Sequence, residues 1–183
     1  MFFRILTLLT LVSVAITNTL VDRRNFSGLC DAFDAMVTMA GKVQVACTTY
    51  QAETTDGNLM ARLPNLFTMA EALISEIKSG DDACPSSVVS VADGQIMVDK
   101  VKSLMTPIQL VCQCIVQLKT IFTKDGVFIL DQVITFIKEA DAASKSLMNK
   151  VVLCTPDSYQ ESMGVMRIQI NADFETIFQE YGI

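Results

Sequence analysis

Leu104-Met105-Thr106-Pro107-Ile108-Gln109-Leu110-Val111-Cys112-Gln113-Cys114-Ile115-Val116-Gln117-Leu118-Lys119-Thr120-Ile121-Phe122 is the stretch whose reading decides the fold. Gln109, Gln113 and Gln117 recur every four residues, with Thr106 and Thr120 close to the same line. At helical pitch they form one narrow polar stripe, and the rest of the circumference is apolar. A helix of that character belongs in the middle of a bundle. Pro107 removes one backbone hydrogen bond, so the pattern predicts a kinked helix or two collinear pieces.

Helical periodicity extends outward in both directions. Leu29, Phe33, Met36, Ala40, Val43, Cys47 and Tyr50 alternate three- and four-residue steps, which predicts a first helix over Gly28–Thr54. Asp31 and Asp34 then sit in its first turns, where carboxylates favour the helix dipole. A second helix is expected from Leu59 to Lys78, with Leu59, Leu63, Leu66, Ala70, Leu73 and Ile77 as its stripe and Gly80 as its C-terminal cap. Pro64 either kinks this helix or marks its N-terminus. The third begins at Cys84-Pro85-Ser86-Ser87 and runs through Pro107 to Phe122. The fourth covers Val127–Leu153, with Asp141 and Lys145 as an exposed pair. The fifth starts with Thr155 as N-cap and Pro156 at the first position, and carries Tyr159, Met163, Met166, Ile170, Phe174, Ile177 and Tyr181. Asp56-Gly57-Asn58 and Lys124-Asp125-Gly126 read as turns. No segment alternates with strand period better than it repeats with helical period. The expected class is all-α: an antiparallel bundle of about five helices, stapled by disulfides.

Met1-Phe2-Phe3-Arg4 followed by apolar residues from Ile5 to Val14 and then small residues matches a secretory signal peptide over 1–17. The run is too short to span a bilayer, so no transmembrane segment is expected in the mature chain. Residues 18–27 form an N-terminal extension. Within it Arg23-Arg24 is either a propeptide cleavage site or a solvated terminus, and Asn25-Phe26-Ser27 is a glycosylation sequon that should be exposed just before the first helix. Residues 28–183 make a single domain. The six cysteines, Cys30, Cys47, Cys84, Cys112, Cys114 and Cys154, read as three disulfides in a secreted chain. Helical spacing points Cys112 and Cys114 to nearly opposite sides, so they should not bridge each other; Cys47 is expected to join one of them.

The chain has no histidine. That excludes Ser-His-Asp and Cys-His nucleophile systems and imidazole metal sites. Glu71 with Glu76, or Glu139 with Asp141, would be candidate carboxylate pairs, but solvated helix faces account for them. Asp56-Gly57, Asp93-Gly94 and Asp125-Gly126 are isolated, without the ligand density of a calcium loop. The expectation is a secreted, non-enzymatic protein without a cofactor. A net charge of −6 argues against nucleic acid or an anionic membrane as partner.

Function then rests on the interior. Ten methionines and ten phenylalanines suit an adaptable apolar pocket. Two functions follow: a carrier or sequestering protein for a small apolar ligand such as a fatty acid, or an extracellular protein–protein interaction module with a packed core. The carrier should enclose several hundred cubic ångströms of apolar space; the module should be filled and present an exposed apolar patch. Any ligand is expected near Pro107, against Met105, Ile108, Val111, Ile115 and Phe122, with Phe136 and Ile137 facing them from the next helix.

Overall fold

The computed structural model describes residues 2–52, 59–124 and 127–183, with side chains over 24–51, 63–123 and 129–183. Among them are five helices and no strand: α1 (Phe2–Ala52), α2 (Leu59–Ala83), α3 (Val91–Lys124), α4 (Val127–Cys154) and α5 (Asp157–Tyr181). The Asp56-Gly57-Asn58 turn and the Asp125-Gly126 turn lie outside the described residues.

The helices stand in a closed ring, in the order α1, α2, α4, α5, α3 and back to α1, while α3 and α4 barely touch across it. Cross-helix contacts fix the directions. Asp34 pairs with Lys100 and Gln51 with Gln117, so α1 and α3 run parallel. Lys78 pairs with Glu139 and Asp81 with Lys150, so α2 and α4 also run parallel. Arg167 reaches back to Asn149, which sets α4 and α5 antiparallel. One end of the ring gathers the C-termini of α2 and α4 with the N-termini of α3 and α5, and holds Cys84 and Cys154; we call it the thiol end.

The helical periods do place the core. Leu29, Phe33, Met36, Ala40, Val43, Cys47 and Tyr50 are all buried, as are Met163, Met166, Ile170, Phe174 and Ile177, while Tyr159 and Tyr181 are half-buried. α3 is long and apolar enough to cross a membrane, the one such helix among the described residues. Its apolar face is instead turned inward, with Val101, Leu104, Ile108, Val111, Leu118 and Phe122 buried. It is not central. It is one stave of the ring, and Gln113, Gln117, Thr106 and Thr120 lie on its exposed side. α3 is a single helix through Pro107, and α2 likewise runs through Pro64.

Several boundaries differ from the sequence expectation, each for a local reason. α1 begins at Phe2, not Gly28, so Asn25 lies within a helix and is half-buried instead of exposed ahead of it. Asp31 and Asp34 are therefore mid-helix, and Asp34 serves as an ion-pair partner 2.5 Å from Lys100. α2 continues to Ala83 past Gly80, which does not cap it; a Cβ on Gly80 would lie 2.8 Å from Met36, so the glycine permits close approach of α1. α3 starts at Val91, after the non-helical stretch 84–90. Its start signal is Ser90 with Asp93, a reciprocal cap in which the Asp93 N–H donates to Ser90 Oγ and that hydroxyl donates to the carboxylate. Thr155 does not cap α5: it is fully buried and its hydroxyl donates to the Val151 carbonyl at 2.6 Å. Asp141 is buried, not exposed, though its ion pair with Lys145 is present at 2.8 Å.

Gly94 is approached as closely as Gly80, but by rigid groups. A Cβ there would fall 2.8 Å from Pro156 Cδ and 2.9 Å from the Tyr159 ring, both rigid groups. Gly41 in α1 has nothing within 4 Å. In urea unfolding, Gly94→Ala should therefore destabilise by about 1–3 kcal/mol through overpacking of the α3–α5 crossing. Gly41→Ala should stabilise by about 0.5–1 kcal/mol through helix propensity. Equal effects at the two positions would contradict this account of the crossing.

Candidate ligand-binding site

Inside the ring is an apolar void of about 90 Å³. α3 contributes Ile108, Val111, Cys112, Ile115, Leu118 and Phe122; α4 contributes Val133, Phe136, Ile137 and Ala140. α2 lines it from Leu66 to Ile77, and Val43, Cys47 and Phe174 complete the wall. No charged side chain is among them. Ile108 to Phe122 spans roughly 20 Å of helix at 1.5 Å per residue, so the space is elongated along the ring axis. At the end away from the thiols, Tyr50 and Phe122 pack with ring centroids 5.8 Å apart. Toward the thiol end, Ile77 and Ile108 separate it from a smaller void of about 20 Å³ against Met36, Met148 and Ser144. Beyond that the core is filled by Met36, Met97, Met148 and Met163.

The structure brings Ile108, Val111, Ile115, Phe122, Phe136 and Ile137 around this one space. Met105 is not there; it lines an outer groove between α3 and α5 with Lys102 and Met166. Phe136 and Ile137 do not arrive by a close α3–α4 hairpin: the void lies between those two helices and keeps them apart. The sequence named Leu66, Ala70, Leu73 and Ile77 as the α2 stripe but did not assign them, or Phe67 and Ile74, to the ligand space. The signal was present, since Phe67 and Ile74 flank the Leu66–Ala70–Leu73–Ile77 stripe and widen it beyond a simple packing seam.

All six cysteines are thiols in the structure, so the expected disulfide staples are not part of the fold it describes. Two pairs are nonetheless adjacent. The Cys84 and Cys154 sulfurs are 3.6 Å apart, and their shared hydrogen bond, with burial, raises the Cys84 thiol above its ordinary range. Cys47 is hydrogen-bonded to Cys114; burial first and that neighbour second push Cys47 up to about 12. Cys112 faces the void, and burial, reinforced by the Asp173 carboxylate, pushes it up to about 12 as well. Cys30 stands apart beside Asp34 and Lys100.

The void's dimensions invite comparison with known proteins. No protein-family model matches the chain. A cell wall galactomannoprotein of Armillaria ostoyae is 34% identical over 169 residues, which span 91% of this chain and 84% of that protein. The chain belongs to the cell wall galactomannoprotein family. Among solved structures, ligand binding domain 1 of the Penicillium marneffei MP1 protein, complexed with arachidonic acids, superposes with a TM-score of 0.72 at 14% identity, covering 88% of this chain and 99% of that one. AFMP4P in complex with palmitic acid superposes at 0.66 with 14% identity, covering 81% and 99%. At such identities the likeness establishes a common fold: this galactomannoprotein relative shares its five-helix ring with both.

Asp173 sits beside the wall, one residue before Phe174. Its Oδ2 is closed off from solvent without a hydrogen-bond partner among the described residues, while Oδ1 accepts from Gln169 at 3.2 Å. Burial raises its carboxyl above the usual range. A raised folded-state value favours the protonated form, so this group's contribution to stability is complete at acid pH and is lost as pH rises through the folded value. Asp173→Asn should match the wild type in thermal unfolding near about pH 3, below ordinary carboxylate titration, and exceed it at about pH 7. An identical offset at both pH values would rule out the buried carboxylate as its source.

Proposed function

We propose that this galactomannoprotein relative is a secreted, non-catalytic protein that carries or sequesters long-chain fatty acids in the axial void of the ring. The observation that carries the proposal is the void itself: it is elongated, its wall has no charged side chain among the described residues, and it lies in the fold of domains solved with arachidonic and palmitic acids. Burial of the acyl chain supplies the driving force, at roughly 25 cal/mol per Å² before association costs. At about 90 Å³ the space is well below the roughly 300–1,000 Å³ of ordinary ligand pockets. The ring therefore widens as it takes its ligand, and rotation of the lining phenylalanines Phe67, Phe122, Phe136 and Phe174 makes that repacking possible. The interaction-module reading has less support, because the exposed large apolar residues, such as Val45, Leu153 and Val165, are spread over different helices.

A fluorescent fatty acid should bind the purified protein at micromolar concentration, and native mass spectrometry of material from its own source should carry acyl-chain adducts. Ile108→Phe, which fills the space between the two voids, should weaken that binding by about tenfold while the cooperative thermal transition persists. If the wild type binds no apolar probe, the carrier function is wrong. If Ile108→Phe binds like the wild type, the ligand lies elsewhere.

Secretion agrees with a relative found in the cell wall, and supplies the oxidising setting for the two thiol pairs. In our reading Cys84–Cys154 and Cys47–Cys114 become disulfides: each pair gives up two protons and two electrons to a disulfide oxidant of the secretory pathway. Cys154 at 3.6 Å needs only a small approach to reach the bonding distance of about 2 Å. Denatured, unreduced protein from a eukaryotic secretory host should then alkylate at Cys30 and Cys112 alone. Labelling of all six would reject the pairing.

A further inference from the structure

A fatty acid in this void has nowhere inside to put its carboxylate. The lining offers only apolar side chains and two buried thiols, and an unpaired buried carboxylate is strongly unfavourable. The acid end must therefore reach a wall that gives onto solvent. Most of the half-exposed lining residues mark one such wall: Phe67 and Ala70 on α2, with Phe136 and Ala140 on α4. Ile115 of α3 is also half-exposed, but the Tyr181 hydroxyl is bound to its carbonyl at 2.9 Å and lies over it.

Outside the α2–α4 seam runs a groove of about 250 Å³, lined by Glu71, Ile74, Ser75, Lys78, Phe136 and Glu139. Ile74 and Phe136 line both groove and void and so form the boundary the two share, with Phe136 packed on Phe67 at 5.3 Å between ring centroids. Lys78 follows Ile74 by one helical turn, and Glu139 follows Phe136 by one turn. Lys78 is the groove's cation. Its partner Glu139 is 3.6 Å away, and both side chains are more than half exposed, so the pair is loose and weakly held. A second outer groove, between α1 and α2, contains Lys42 but meets the void only through the buried Leu66.

Resting on the fatty-acid reading above, we propose that the α2–α4 seam is the mouth of the site: Phe136 and Ile74 part to admit the acyl chain, and the Lys78 ammonium holds the ligand carboxylate in place of Glu139. The tail then points along the axis toward Tyr50 and Phe122. Lys78 is in this view a specificity residue that selects acids over neutral lipids of the same length.

The test titrates palmitic acid and 1-hexadecanol separately into the full chain and into Lys78→Gln, Glu139→Gln and Lys42→Gln variants, each checked for an unchanged thermal transition. Lys78→Gln should weaken palmitic acid by about tenfold, the scale of one lost charge-assisted contact, and leave hexadecanol unchanged. Glu139→Gln should bind palmitic acid at least as tightly as the wild type, and Lys42→Gln should match the wild type for both ligands. If Lys78→Gln binds palmitic acid normally, or loses both ligands equally, the carboxylate site is elsewhere and the fatty-acid function stands. A selective loss in Lys42→Gln would move the mouth to the α1–α2 seam and overturn the assignment. A wild type that binds neither ligand overturns this proposal and the function beneath it.

Discussion

Five helices in a ring cannot meet on their common axis. With neighbours roughly 8–10 Å apart, a pentagonal arrangement sets each helix axis roughly 7–8.5 Å from the centre, further than the square of a four-helix bundle. The space this leaves must be filled by side chains reaching inward from all five staves, or remain open. The rest of the structure follows from that geometry. Helices α3 and α4 are consecutive in the chain yet scarcely touch, because they face each other across the axis.

The chain meets this constraint differently at its two ends. Toward the thiols, long unbranched side chains reach the axis: Met36, Met97, Met148 and Met163 are buried to 2% or less, and Gly80 and Gly94 let the staves close in. Further along, short or β-branched residues such as Val43, Val111, Val133 and Ala140 stand among the phenylalanines and leucines of the wall. There the ring encloses space.

The seams of α1, α2 and α5 were legible in the sequence because a helical stripe identifies inward positions regardless of how many helices surround them. Six of the residues around the void were legible for the same reason. Ring order was not. Periodicity states which face of a helix is buried but not against which neighbour, so Phe136 and Ile137 were placed on the right side of α4 for the wrong reason, as a hairpin contact with α3. Met105 was misassigned because proximity in sequence to Pro107 is not direction: it turns toward α5 and the outer groove. The start of α3 was missed because Cys84-Pro85-Ser86-Ser87 resembles a cap, while the working cap, Ser90 with Asp93, sits in the next turn. Adjacency of Cys47 to the Cys112/Cys114 region was expected from helix register, and the structure brings Cys47 to Cys114; the state of the sulfurs depends on the redox surroundings, which register does not encode.

The void has a mechanical consequence as well as a chemical one. Unfolding lets water into space that the folded chain leaves unoccupied, so the unfolded state takes up less total volume, and hydrostatic pressure shifts the balance toward it. The thiol end, packed with methionine, is the stiff half of the molecule; the half between Ile108 and Phe122 is the compressible one. Any apolar molecule that filled the axis would replace that empty space with matter and reduce the volume lost on unfolding.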